Sequence, residues 1–175
     1  SIGYILLSSI IDSIPDNWNK KIHWLLAGDG PSLPEWKRKA AGWNNVTLTG
    51  YLKGEELSEA YASADLFVFP STTETFGNVV LESLASGTPA IVSNSGGVKE
   101  LVADGITGRI CTAKSANEFS KAIIELLADQ EKRRLFGIAA RKYALSQSWE
   151  SILDNLIGEY EEVLINSRGE QRIYA

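Results

Sequence analysis

At 175 residues the chain has the length of one domain and can bury about 70% of the surface its unfolded form exposes. A hydrophobic share of 44% excludes wholesale disorder, and a net charge of −5 argues against nucleic acid or an anionic membrane surface as principal partner. The single cysteine, Cys111, excludes an internal disulfide and speaks against a zinc cluster.

The opening "YILLSSIIDSI" reads as a helix with no strand ahead of it. It lacks the basic start and cleavage site of a signal peptide, and no apolar run reaches the length of a membrane span. A soluble chain in a reducing compartment is expected. From residue 20 onward short apolar runs alternate with amphipathic ones. "IHWLLAG" (Ile22 to Gly28) predicts a buried strand, "LPEWKRKAAG" a helix, and "NVTLTG" a second strand ending at Gly50. "EELSEAYASA" is helical, and "DLFVFP" is a third strand stopped by Pro70. In "GNVVLESLASG", Val80, Leu81, Leu84 and Ala85 fall at helical spacing with Gly87 as the stop. "PAIVS" is a fourth strand, and "GRIC" a short one that makes Cys111 a buried structural thiol. Three helical stretches then reach Ile165, and the polar residues 166–175 form a tail or linker.

Short strands that alternate with helices, each closed by Gly or Pro, indicate an α/β fold: a Rossmann-like parallel sheet with helices on both faces. Its first strand is missing from the pattern, because such a half normally opens on one. One domain over residues 1–165 is expected. Ligands in such sheets bind beyond the carboxyl ends of the strands. That selects "GDGP", "TGYL", "PSTTETFGN" and "SNSGG" as the loops of a cleft.

The third of these loops runs into a helix starting near Gly77 or Asn78. A helix N-terminus offers unpaired N–H groups and the positive end of the macrodipole to an anion. Gly77 would let a ligand approach the backbone. Between Lys53 and Lys99 the sequence has no Lys or Arg, so a phosphate there would need cations from elsewhere. Glu74 and Glu82 lie eight residues apart. An ionised carboxylate accepts hydrogen bonds only, and its two oxygens match vicinal hydroxyls. Glu82, about 6 Å along the helix from Asn78, could hold a ribose, and Glu74 a sugar on the other side of the phosphates. The spacing fits a solvated helix residue and a loop cap equally well.

The run "PSTTETFGNVVLESLASGTPAIVSNSGGVKELVADGITGRI" closely resembles the donor-binding region of retaining GT-B glycosyltransferases. Its Glu-x7-Glu motif matches Glu74 and Glu82, and "AGDGP", "LTGYL" and "SWESILDNLIGEY" are similar to other segments of that half. The resemblance implies transfer of a hexose from a UDP- or GDP-linked donor, with retained configuration, to an acceptor glycan, lipid or small molecule. Glu74 would be the catalytic contact to the donor sugar. Thr75, Phe76, Gly77 and Asn78 would lie near sugar and diphosphate, and Glu82 would hold the ribose. Gly50, Tyr51 and Leu52 would lie against the base, and Gly28 would allow close approach. No bound metal and no cofactor are implied, the nucleotide sugar being a substrate.

The family's Lys and Arg for the diphosphate precede the first helix. If Gly3 follows the Lys position, Ile2 stands in its place and the Arg lies before Ser1. The acceptor would bind a missing N-terminal domain, through which alone a membrane could be approached, and the fragment alone is expected to be inactive. A cytoplasmic parent protein, at most at the cytoplasmic face of a membrane, is implied. The alternatives are a non-catalytic nucleotide-sugar-binding or interaction module of the same fold and, further off, another GT-B enzyme such as an epimerase. His23, Asp29, Asp65, the five tryptophans and "EKRRL" are read as structural or solvated, with Ser93, Asn94, Ser95 and Lys99 as weaker cleft candidates.

Overall fold

The computed structural model describes residues 2–72 and 77–147, with side chains from Leu6 onward. The expected third closing helix, Trp149 and the tail therefore lie outside the described residues. In chain order the elements are α1 (Ile2–Ser13), a short α2 (Asp16–Asn19), β1 (Trp24–Ala27), α3 (Leu33–Ala40), β2 (Val46–Gly50), α4 (Gly54–Ser63) and β3 (Phe67–Phe69). Then come α5 (Asn78–Ala85), β4 (Ala90–Ser93), a 3-10 turn (Gly97–Glu100), β5 (Gly108–Cys111), α6 (Ala116–Ala128) and α7 (Gln130–Ser146).

Every strand pair is parallel, as the alternation of strand and helix requires. The strands form two groups, β1-β2 and β3-β4-β5. In a doubly wound half of order 3-2-1-4-5-6, strands two and three lie on one side of the first and four to six on the other. The two groups reproduce that division when β1 is counted as the second strand. The consequence shows in burial. All four residues of β4 are buried between two neighbours, whereas Phe67, Val68 and Phe69 of β3 are only half-buried. In β1 only Trp24 is buried and Leu25 is 45% exposed, which corrects the expectation of a buried strand there. A strand paired on one edge lacks the neighbouring side chains that would cover its faces.

Helices cover both sides. On one side α1 contributes Leu6, Ile10 and Ile11, with Ile14 just past its end, and α6 contributes Phe119, Ala122, Ile123 and Leu126, against Trp24, Ile91 and Cys111. On the other, Val80 and Leu84 of α5 and Ala140 of α7 pack on Ala90 and Val92. The period-two alternation of β4 thus serves both cores. Close packing here depends on glycine: a Cβ on Gly108 would lie 1.9 Å from the Ala90 carbonyl oxygen, and one on Gly137 2.4 Å from that of Gly87. Gly87 itself, at φ 77°, ends α5 in the left-handed conformation that the sequence pattern anticipates.

Candidate functional site

Because all strands run the same way within each group, their carboxyl ends gather the loops that carry the expected ligand residues. Gly28 follows β1 and Gly50 closes β2. The Gly28 N–H donates to the Gly50 carbonyl at 2.7 Å, so the structure brings these two together. Both have positive φ, 134° and 71°, and a Cβ on either would meet nothing within 4 Å. Their open side fits close approach of a ligand to the backbone. Beyond them Tyr51 is 69% exposed and Leu52 half-buried.

The second cluster is α5. Gly77 is its N-cap residue, in the left-handed conformation at φ 59°. The Gly77 carbonyl accepts from Val80 N–H at 2.8 Å and Leu81 N–H at 3.2 Å, and a glycine supplies no side-chain cap. The amides of Asn78 and Val79 are thus the first-turn donors that have no partner within the helix. Gly77 is buried, and a Cβ there would lie 2.8 Å from Leu101 Cδ1 and 3.0 Å from Val98 Cγ1. Glycine is thus required here by packing, a reason that the expectation of ligand approach did not include. The space on its Cβ side is filled by the residues of and beside the 3-10 turn.

One turn on, Glu82 is exposed, and one of its oxygens, Oε2, accepts from the Tyr61 hydroxyl at 3.3 Å. Tyr61 is 8% exposed, and burial, then the negative charge and hydrogen bond of Glu82, push its phenol up to about 12. It donates at any physiological pH. The sequence reading missed this residue. An aromatic in an amphipathic helix reads as core, and its partner lies 21 residues away on another helix. Glu74, Thr75 and Phe76 lie outside the described residues.

The weaker candidates resolve into structure. Asn94 Oδ1 accepts from Ala113 N–H at 2.9 Å, Ser93 Oγ from Ser95 N–H at 3.2 Å, and Ser95 Oγ donates to Thr72 O at 3.4 Å. His23 shares a hydrogen bond of 2.8 Å with Thr47 Oγ1 at the opposite edge, where the strands begin. Trp36 and Trp43 pack at 6.3 Å between ring centroids, and both lean on the core with Trp18. Cys111 is buried as expected; burial, then the Glu118 charge, push its thiol up to about 11, which leaves no nucleophilic thiolate at neutral pH. "EKRRL" is more than a solvated face. Arg133, 17% exposed in its side chain, donates to the carbonyls of Leu126 and Leu127 at 2.9 and 2.8 Å and pairs with Asp65 at 3.2 Å.

Two cavities, of about 220 and 410 Å³, are lined by Asp65, Pro89 and Arg133 and by Asn19, Trp43 and Asn45 respectively. Both lie where strands begin, not at the loop edge. Among the described residues no group of three or more His, Cys, Asp or Glu side chains gathers in metal-binding geometry, and no helix is long and apolar enough to cross a membrane.

A parallel sheet with helices on both faces and glycine-rich loops at its carboxyl edge defines the class: one half of a GT-B glycosyltransferase fold. The family model described as "Glycosyl transferases group 1" matches residues 3–143, and the chain belongs to that family. It is 43% identical to a GDP-mannose-dependent alpha-mannosyltransferase of Mycolicibacterium smegmatis over 68% of this chain and 31% of the relative. It is 34% identical to the sulfoquinovosyl transferase SQD2 of Arabidopsis thaliana over 88% of this chain and 30% of the relative. Among solved structures, sucrose-phosphate synthase of Thermosynechococcus elongatus superposes with a TM-score of 0.76 at 27% identity, over 94% of this chain and 43% of that one. The chain thus spans about a third of the length of the curated relatives it matches.

Proposed function

We propose that the chain is the donor-binding half of a retaining glycosyltransferase that moves a hexose from a UDP- or GDP-linked sugar to an acceptor held by a separate N-terminal domain. The observation that carries the reading is α5. It sets two first-turn amides without helical partners one turn from a carboxylate, at the loop edge of a parallel sheet. Anion and polyol recognition are thereby adjacent. Gly28 and Gly50, locked together with open backbone, supply a floor on the other strand group, with Tyr51 beside it for the base. As the anomeric carbon parts from the donor, negative charge develops on the diphosphate, and fixed amides at a helix start stabilise such charge. Glu74 is assigned the contact to the donor sugar, and Thr75 and Phe76 its neighbourhood.

Among the described residues β1 and β3 each pair along one edge only, which supports a further element of the same reading: a parallel strand preceding α1 in the parent protein, inserted between the two strand groups. The loop leaving that strand would be the source of the phosphate cations that the stretch between Lys53 and Lys99 lacks.

The test is titration calorimetry and donor hydrolysis with the full-length protein across UDP- and GDP-sugars. Binding of one nucleotide class, weakened about tenfold or more by Glu82→Ala, is expected, with transfer lost in Glu74→Ala. Binding that is indifferent to Glu82→Ala refutes the ribose assignment. Binding without any turnover favours a non-catalytic module.

A further inference from the structure

We propose that Tyr61 is a positioning residue for Glu82. Its hydroxyl holds one carboxylate oxygen, so that the remaining lone pairs meet the vicinal hydroxyls of a ribose in a fixed orientation. The proposal rests on the reading of Glu82 as the ribose-binding residue.

Its geometry begins with how firmly the phenol is held. Tyr61 lies in the last turn of α4 (Gly54–Ser63), and its carbonyl accepts from Thr88 Oγ1 at 2.6 Å. Thr88 is in turn tied to α5, because its own carbonyl accepts from Ser83 Oγ at 2.9 Å. The Tyr61 ring stands edge-on to Phe67, centroids 5.3 Å apart and planes at 79°. Phe67 stacks on Phe69 at 5.8 Å. Backbone, ring and helix are therefore fixed by separate contacts, and the hydroxyl is directed at Glu82.

Glu82 is the opposite case. It is exposed on α5, and a glutamate on a helix surface samples many rotamers, whose loss on binding subtracts from affinity. The Tyr61 hydroxyl, donating to Oε2 at 3.3 Å, restricts that freedom before the ligand arrives. A carboxylate offers about four lone-pair sites. One is engaged by Tyr61, which leaves enough acceptors for two adjacent hydroxyls. Phenylalanine would pack equally well in this position; only the hydroxyl reaches the carboxylate. The competing explanation is that Glu82 merely satisfies a buried phenol.

Titration calorimetry on the full-length protein separates these. The probes are GDP and UDP and their 2′,3′-dideoxy counterparts, and the readout is the ratio of ribose to dideoxyribose affinity. Tyr61→Phe should reduce that ratio about three- to tenfold and leave dideoxy affinity unchanged. If Tyr61→Phe lowers both affinities alike, or neither, the positioning role is wrong. Glu82→Ala identifies the other failure: a ratio it leaves intact sinks the ribose reading itself, whereas a ratio that collapses in Glu82→Ala but persists in Tyr61→Phe sinks only the role of Tyr61. Should Tyr61→Phe fold poorly, spectrophotometric titration of the tyrosines in Glu82→Gln replaces it. The phenol that ionises at the highest pH should titrate at lower pH than in wild type, and an unmoved titration overturns the proposal.

Discussion

Replacing Gly77 by alanine separates two reasons for a glycine at the start of α5. Its φ of 59° costs an L-residue roughly 1–2 kcal/mol. The new methyl carbon would also lie 2.8 Å from Leu101 Cδ1 and 3.0 Å from Val98 Cγ1. Overpacking of this kind costs about 1–3 kcal/mol. The two together predict a loss of about 2–5 kcal/mol, a large part of the about 5–15 kcal/mol typical of a domain. In urea, at a mid-range slope of about 2 kcal/mol per molar, the midpoint should fall by roughly 1–2.5 M. Leu101→Ala supplies the control, since it removes the nearer obstacle. In the double variant the two losses should sum to at least about 1 kcal/mol less than the singles imply. A Gly77→Ala chain within about 0.5 kcal/mol of wild type, or strict additivity with Leu101→Ala, would refute the packing argument and restore ligand approach as the reason for the glycine.

Two further outcomes follow from groups away from the loop edge. Arg133→Ala strips the donor from the Leu126 and Leu127 carbonyls and the partner from Asp65, and should cost about 1–3 kcal/mol in chemical denaturation; Arg133→Met, which keeps the stem, should recover only the packing share, and full recovery would show that the hydrogen bonds add nothing. The alkaline limb of stability has a definite sign. Cys111 and Tyr61 hold their protons more tightly folded, to about 11 and about 12 against ordinary values of 9.0 and 10.0, so their contribution is intact below pH 9 and is lost as pH rises through that window. Thermal melts from pH 8 to 11 should show the decline, and Cys111→Ala should flatten its first part; an unchanged slope would contradict the assignment.

Element order and type were largely legible, because the strands are short apolar runs, the first three closed by Gly or Pro, and they alternate with helical stretches. The short α2 was not, since its four residues are too few to show a helical period. Burial was harder to foresee than type. Leu25 and Phe67 look as apolar as Ile91, yet only Ile91 has neighbouring strands on both sides. The packing role of Gly77 was not legible for a related reason: what fills the space beside it comes from Val98 and Leu101, some 20 residues on, and local sequence carries no sign of that. Arg133 and Tyr61 share this feature. Their partners, Asp65 and Glu82, lie 68 and 21 residues away, so charge pattern and helical period described the side chains without locating their contacts.

The element on which the functional reading depends has only eight residues, too few to hold a helix in water by itself. Its stability comes from its surroundings. At its start Gly77 is seated on Val98 and Leu101. Along its length Val80 and Leu84 are fully buried against β4. Ser83 and Thr88 link it to Tyr61, and at its end Gly87 packs on Gly137 while Arg141 donates to the Ala85 carbonyl at 3.2 Å. A helix pinned in this way cannot swing to meet a ligand. Its first-turn amides and the Glu82 carboxylate must already point where they are needed, and donors that require no reorganisation are the most effective at stabilising developing charge. The lack of cations on this stretch then has a physical sense. A lysine beside Glu82 would pair with the carboxylate and take up lone pairs that, on the proposed reading, accept from hydroxyls. On that reading, keeping α5 free of positive charge preserves the carboxylate as an acceptor and leaves phosphate compensation to other loops.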